Sequence, residues 1–132
     1  MLKAKRSPKI IYLSTFPPRE CGIATFTADL TTAMDDLLGP AIESCITAVN
    51  IDDISRYKYP RKVIFQIDQF SRQEYIDTAE KINAMEDVKL VNIQHEFGIF
   101  GGDHGSYIIS FLEALKKPSV VTFHSVLPLQ GE

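Results

Sequence analysis

The chain has 132 residues, room for one compact domain with its own apolar core but not for two. Hydrophobic residues make up 45% and charged residues 23%, an ordinary globular balance, and the formal net charge of −3 leaves no electrostatic footprint for nucleic acid. Two cysteines, Cys21 and Cys45, form no disulfide framework, so a reducing cytosol is the simplest compartment.

Lys3, Lys5, Arg6 and Lys9 make the start basic. The apolar run that follows, Ile10 to Leu13, is too short for the core of a signal peptide, and no stretch reaches transmembrane length. Residues 1–8 therefore read as a solvated tail, with contact to an anionic lipid surface as the alternative that its charge allows.

The run Ile10 to Leu13 has the near-continuous apolar character of a strand buried on both faces. It ends in a Ser-Thr-Phe-Pro-Pro turn signal, and from Gly22 the period changes. Ile23, Phe26, Leu30, Ala33 or Met34, and Leu37 fall three or four apart, predicting a helix that buries that face and stops at Gly39-Pro40. Strands follow around Ile46 to Val49 and Val63 to Ile67, joined by a polar connection containing tyrosines. Ser71 and Glu74 read as a capping box opening a helix with Tyr75, Ile76, Ala79 and Ile82 on one face. A fourth strand spans Val88 to Gln94. After a glycine-rich loop, Tyr107, Ile108, Phe111, Leu112 and Leu115 mark a third helix, closed by the cations Lys116 and Lys117 and by Pro118. Ser119 to Phe123 is a fifth strand, with His124 at its end.

This alternation predicts an α/β fold: a doubly wound, Rossmann-like parallel sheet of about five strands, in the order 3-2-1-4-5, with helices on both faces. The expected domain covers residues 9–132. A sheet of six strands would need one more helix and strand, so the sequence reads as a domain cut short. A truncated sheet of this kind would expose apolar surface over which two copies could dimerise.

Ligands of such sheets bind beyond the carboxyl ends of the strands, where the strand order reverses. Three segments converge there. Arg19, Gly22 and Ile23 lie where the first strand gives way to a helix, whose free amides suit a phosphate or a sugar hydroxyl. The loop from His95 to Gly105 supplies His95, Glu96, Asp103 and His104 as donors and acceptors. It also supplies Phe97 and Phe100 as ring-sized apolar surfaces, and Gly98, Gly101, Gly102 and Gly105. His124 is the third. Neither GxGxxG nor a P-loop is present, and His95, Glu96, His104 and His124 match no zinc-binding spacing. No histidine is spaced to activate Cys21 as a nucleophile.

Three stretches carry a family resemblance: Tyr12 to Phe26 (YLSTFPPRECGIATF), Gln94 to Gly102 (QHEFGIFGG) and Thr122 to Val126 (TFHSV). Together they resemble the N-terminal domain of retaining glycosyltransferases of family four, enzymes of GT-B architecture. The resemblance implies transfer of a sugar from a nucleotide-sugar to an acceptor hydroxyl, with no metal ion and no cofactor. It implies that Gly22 and Ile23 lie near the donor phosphates and the acceptor, and Arg19 is the basic residue expected near them on the donor side. It further implies that His95, Glu96, Phe97, Gly98, Gly101 and Gly102 line the acceptor pocket, and that His124 supports catalysis beside the reacting sugar. The implied partner is the C-terminal donor-binding domain of the same enzyme, without which this chain is expected to be inactive. The competing expectation is a stand-alone Rossmann-like binding or interaction module, since fold alone does not fix function.

Overall fold

The computed structural model describes residues 6–51 and 57–128. Its centre is a five-stranded, all-parallel sheet in the order β3-β2-β1-β4-β5, the order expected from the sequence. The strands are β1 (Lys9–Ser14), β2 (Glu43–Asn50), β3 (Val63–Asp68), β4 (Val88–His95) and β5 (Ser119–Phe123). Among the described residues three α-helices lie between strands: α1 (Gly22–Leu38) after β1, α2 (Arg72–Asn83) after β3 and α3 (Tyr107–Ala114) after β4.

Because side chains alternate along each strand, the sheet feeds two separate cores. Ile11 and Leu13 of β1, Val91 and Ile93 of β4, and Cys45 and Val49 of β2 pack with α2 and α3. Tyr12, Ile46 and Ala48 point the other way, toward α1. All of these are at most 1% exposed, as expected of a parallel sheet covered on both faces.

The buried face of α1 is only in part the one its apolar residues predict: Ile23, Leu30 and Met34 pack against the cores, but the helix is turned toward its small residues. Ala24, Thr27 and Thr31 are fully buried, while Phe26 is 45% and Leu37 76% exposed. Hydrogen bonding explains the rotation. The Thr27 and Ser14 hydroxyls bond to each other at 2.7 Å, and Thr31 donates to the Thr27 carbonyl at 2.9 Å. Small side chains with satisfied hydroxyls let the helix lie close to β1 at no desolvation cost.

Two helix ends also differ in detail from expectation. Ser71 Oγ accepts from the Glu74 amide at 3.4 Å, but Glu74 reaches the Asp68 amide at 3.4 Å rather than that of Ser71, whose own N–H bonds the Asp68 carbonyl. The C-terminus of α3 is closed by Asn83 of α2. Its amide donates to the Ala114 carbonyl (2.8 Å) and its oxygen accepts from the Lys116 N–H (2.7 Å). Lys117 instead bonds the Met85 carbonyl.

Lys9, the first residue of the expected domain, opens β1 and is tied into the fold. Its ammonium lies 2.7 Å from Asp87 and 3.3 Å from Glu43, at the amino edge of the sheet. The bond to Asp87 raises the Lys9 pKa and lowers that of Asp87. Arg6 is exposed, and Lys3 and Lys5 lie outside the described residues. None of the described helices is long and apolar enough to cross a membrane.

Candidate functional site

Strand order reverses between β1 and β4, so the crevice at their carboxyl ends is the place to look for a ligand site. All three segments singled out in the sequence reach this edge.

Cys21 caps α1, its sulfur accepting from the Ala24 amide at 3.4 Å and lying 3.0 Å from the Thr15 hydroxyl. Gly22 is exposed, and a Cβ placed there would meet nothing within 4 Å. The Ile23 side chain is committed to the core, so at this position only its backbone can face a ligand. Arg19 folds back toward β2, where its guanidinium donates to the Val49 carbonyl at 3.0 Å. Beside it, Asn50 donates to Gln66 at 2.8 Å and accepts from the Tyr59 hydroxyl.

The second segment is a braced loop of two short 3-10 turns, Phe97–Ile99 and Asp103–Gly105. His95, at the end of β4, is 7% exposed and ringed by Phe97, Phe100 and Phe123, with ring centroids 5.0, 5.7 and 5.2 Å away. Burial pushes its pKa down, the Glu96 charge pulls it up and His124 pushes it down; the net direction is down. The imidazole is therefore neutral near pH 7, and its Nδ1 is buried with no partner among the described residues. Glu96 turns back onto its own loop, accepting from the Gly98 amide at 2.7 Å.

The glycines of the loop serve different ends. Gly101 is buried, and a Cβ on it would stand 2.1 Å from the Gln69 carbonyl oxygen, so packing alone requires glycine there. Gly102 is exposed with φ of 81°, a backbone that L side chains rarely adopt. Gly98 is exposed, and its carbonyl accepts from Gln69 at 3.1 Å.

Two residues that the sequence does not connect with this loop hold it. The Tyr75 hydroxyl, pushed up to about 12 by burial, donates to the Gln69 carbonyl (3.0 Å) and accepts from the Gly101 amide (3.3 Å). Gln69, the residue after β3, bonds Gly98 as described. Tyr75 was visible only as a core residue of α2, because its loop partner lies 26 residues away.

A hollow of about 350 Å³ opens between this loop, α3 and β5, with His95, Phe97, Phe123, Ile109 and Val121 in its wall and Asp103 and His104 beside them. It is mostly apolar. A larger hollow, about 480 Å³, lies at the opposite, amino edge around Asp35, Glu43 and Lys62. There Lys62 and Asp35 already pair at 3.0 Å, and the edge is the one such sheets do not use for ligands.

His124 closes the site on the α1 side. Its backbone N–H donates to the His95 carbonyl at 2.9 Å, and its ring sits edge-on to Phe26 with centroids 4.8 Å apart. Its Nε2 lies 2.8 Å from Gln94 Oε1. The other end of that amide donates to Asn92 Oδ1 at 2.6 Å and, more weakly, to the Thr122 hydroxyl at 3.4 Å. Among the described residues, no three His, Cys, Asp or Glu side chains gather where a metal ion could be held.

The crevice thus offers hydrogen-bonding groups on one side and aromatic surface on the other. No family model matches this chain, and neither a curated protein nor a solved structure does.

Proposed function

We propose that the chain is the acceptor-side domain of a glycosyltransferase, which moves a sugar from a nucleotide-sugar to an acceptor hydroxyl with retained configuration. One observation carries this reading: the α1 N-terminus, the His95 loop and His124 meet at one carboxyl edge, with His124 packed on Phe26 of α1 and bonded to His95 of β4. The free amides that open α1 suit phosphate or hydroxyl oxygens. Neutral histidine, amide and hydroxyl groups suit a polyhydroxylated ligand, and Phe97 and Phe123 offer apolar faces to a sugar ring.

Leaving-group charge must be met by cations, and Arg19 is the basic residue of the loop between β1 and α1 at this edge. Its tie to Val49 leaves the chemistry short of positive charge. The reading therefore expects ligand binding without turnover, with the donor-binding domain supplying the rest.

Calorimetric titration of the chain with UDP-glucose and with methyl α-glucoside tests the proposal. Saturable binding of either, weakened in His124→Ala, supports it. No heat from either at millimolar concentration, or equal binding by wild type and His124→Ala, counts against it.

A second reading, a module that pairs with its own copy, is favoured by the β5 edge. The Pro118 carbonyl and the His124 N–H point to β4, so the backbone groups of Ser119, Val121 and Phe123 face outward. Val120, Phe123, Val126 and Leu127 are 47–81% exposed, and residues 118–128 carry no Lys, Arg, Asp or Glu to guard the edge. Two such edges could pair about a twofold axis without opposing like charges. Sedimentation separates the readings: a concentration-dependent dimer, abolished by Val120→Lys, supports pairing, and a monomer at all concentrations excludes it.

A further inference from the structure

We infer that Gln94 is a positioning residue that fixes the tautomer of His124, so that Nε2 carries the proton and Nδ1 is left as a hydrogen-bond acceptor for a ligand. A neutral imidazole has one donor and one acceptor nitrogen, and the bond made by one decides the role of the other. Here the deciding partner is fully engaged. Gln94 is 1% exposed, and its amide nitrogen is spent on Asn92 Oδ1 and the Thr122 hydroxyl. Its oxygen is thereby turned to His124 Nε2 at 2.8 Å, and an oxygen there can only accept.

The rest of the environment holds the ring still. The His124 backbone is pinned to His95, and Phe26 blocks one side of the imidazole. Among the described residues no protein group bonds Nδ1, and the residue is only half-buried. A ligand meeting that atom must bring a hydrogen to donate. A hydroxyl can; a fully ionised phosphate or a carboxylate cannot. The inference rests on the proposed sugar chemistry only for the identity of that hydroxyl, since the tautomer belongs to the free chain.

Long-range 1H–15N spectra of the imidazoles test it without any ligand, at about pH 8, above the ordinary histidine range. Exposed His104 serves as the internal reference. The expected result is an Nε2–H to Nδ1–H ratio at His124 about five- to tenfold above that of His104, the preference that one hydrogen bond confers. Gln94→Met keeps the volume and removes the amide, so His124 should relax to the His104 ratio. Gln94→Glu keeps the acceptor and should retain the Nε2–H form, a rescue that a purely packing role would not give. An Nδ1–H tautomer in the wild type, or an unchanged ratio in Gln94→Met, overturns the inference. Failure to bind both UDP-glucose and methyl α-glucoside with the tautomer ratio intact would instead count against the proposed function alone.

Discussion

Gln94 and His124 face each other across β4 and β5, 2.8 Å apart, on the side of the sheet opposite His95. Neighbours in sequence therefore serve different surfaces. Gln94 looks toward α1 and the ring of His124, while His95 looks toward α3 and a cage of phenylalanines. This alternation at the end of β4 is what makes the carboxyl edge two-sided, with a polar network on one face and an aromatic hollow on the other.

Gly101 and Gly22 should respond in opposite ways to alanine. A methyl at Gly101 would stand 2.1 Å from the Gln69 oxygen and 2.8 Å from the Tyr107 ring, so Gly101→Ala should destabilise the fold by about 3 kcal/mol. A methyl at Gly22 meets nothing, so Gly22→Ala should change stability by less than about 0.5 kcal/mol. Urea denaturation of the two variants checks this. Under the proposed function, Gly22→Ala should weaken ligand binding while leaving the fold intact.

Removing one oxygen at Tyr75 should loosen the loop from a distance. Tyr75→Phe strips the hydroxyl that joins Gln69 to Gly101, and should cost about 1–2 kcal/mol. Amide exchange should quicken through residues 97–102 more than in β1, where the core is unchanged. Uniform quickening would show that Tyr75 supports the whole domain and not the loop.

His104 holds a left-handed backbone, with φ 52° and ψ 32°, at an exposed position. That conformation is unfavourable for a residue with a Cβ and worst for a β-branched one. His104→Gly should raise stability by about 0.5–1 kcal/mol after the extra entropy of the unfolded chain is subtracted, and His104→Val should lower it by about 1 kcal/mol. Thermal melts of both variants give the sign.

Acid should weaken the fold through His95. Burial lowers its pKa in the folded state below the ordinary 6.5, so the unfolded chain takes up a proton that the native state resists. Stability is therefore whole above that value and falls as pH drops below it. Asp87, whose folded pKa lies below the ordinary 3.8, loses its contribution only in stronger acid, outside this window. His95→Gln should flatten the stability profile just below about pH 6.5. An equal slope in both proteins would show that another group titrates there.

The sheet was legible because its signal is local: short apolar runs, each closed by a turn and followed by a period-3.6 pattern, lead to the strand order found. The orientation of α1 was legible only in part, since Ile23, Leu30 and Met34 do pack on the cores. Thr27 and Thr31 read as polar in the sequence, yet are fully buried, because their hydroxyls are satisfied by Ser14 and by the helix backbone. Phe26, which reads as core, instead flanks His124. At the site, the sequence pointed to the segments but not to their bracing. The Gln69–Gly98, Tyr75–Gly101 and Gln94–His124 bonds join residues 26 to 30 positions apart, so no periodicity announces them.

If the carboxyl edge receives a hydroxyl-bearing ligand, titration with methyl α-glucoside followed by amide chemical shifts should give saturable shifts confined to Gly22–Ala24, His95–Gly102 and Phe123–Ser125. Shifts centred instead on the hollow around Asp35 and Lys62, or none at all, would contradict that reading.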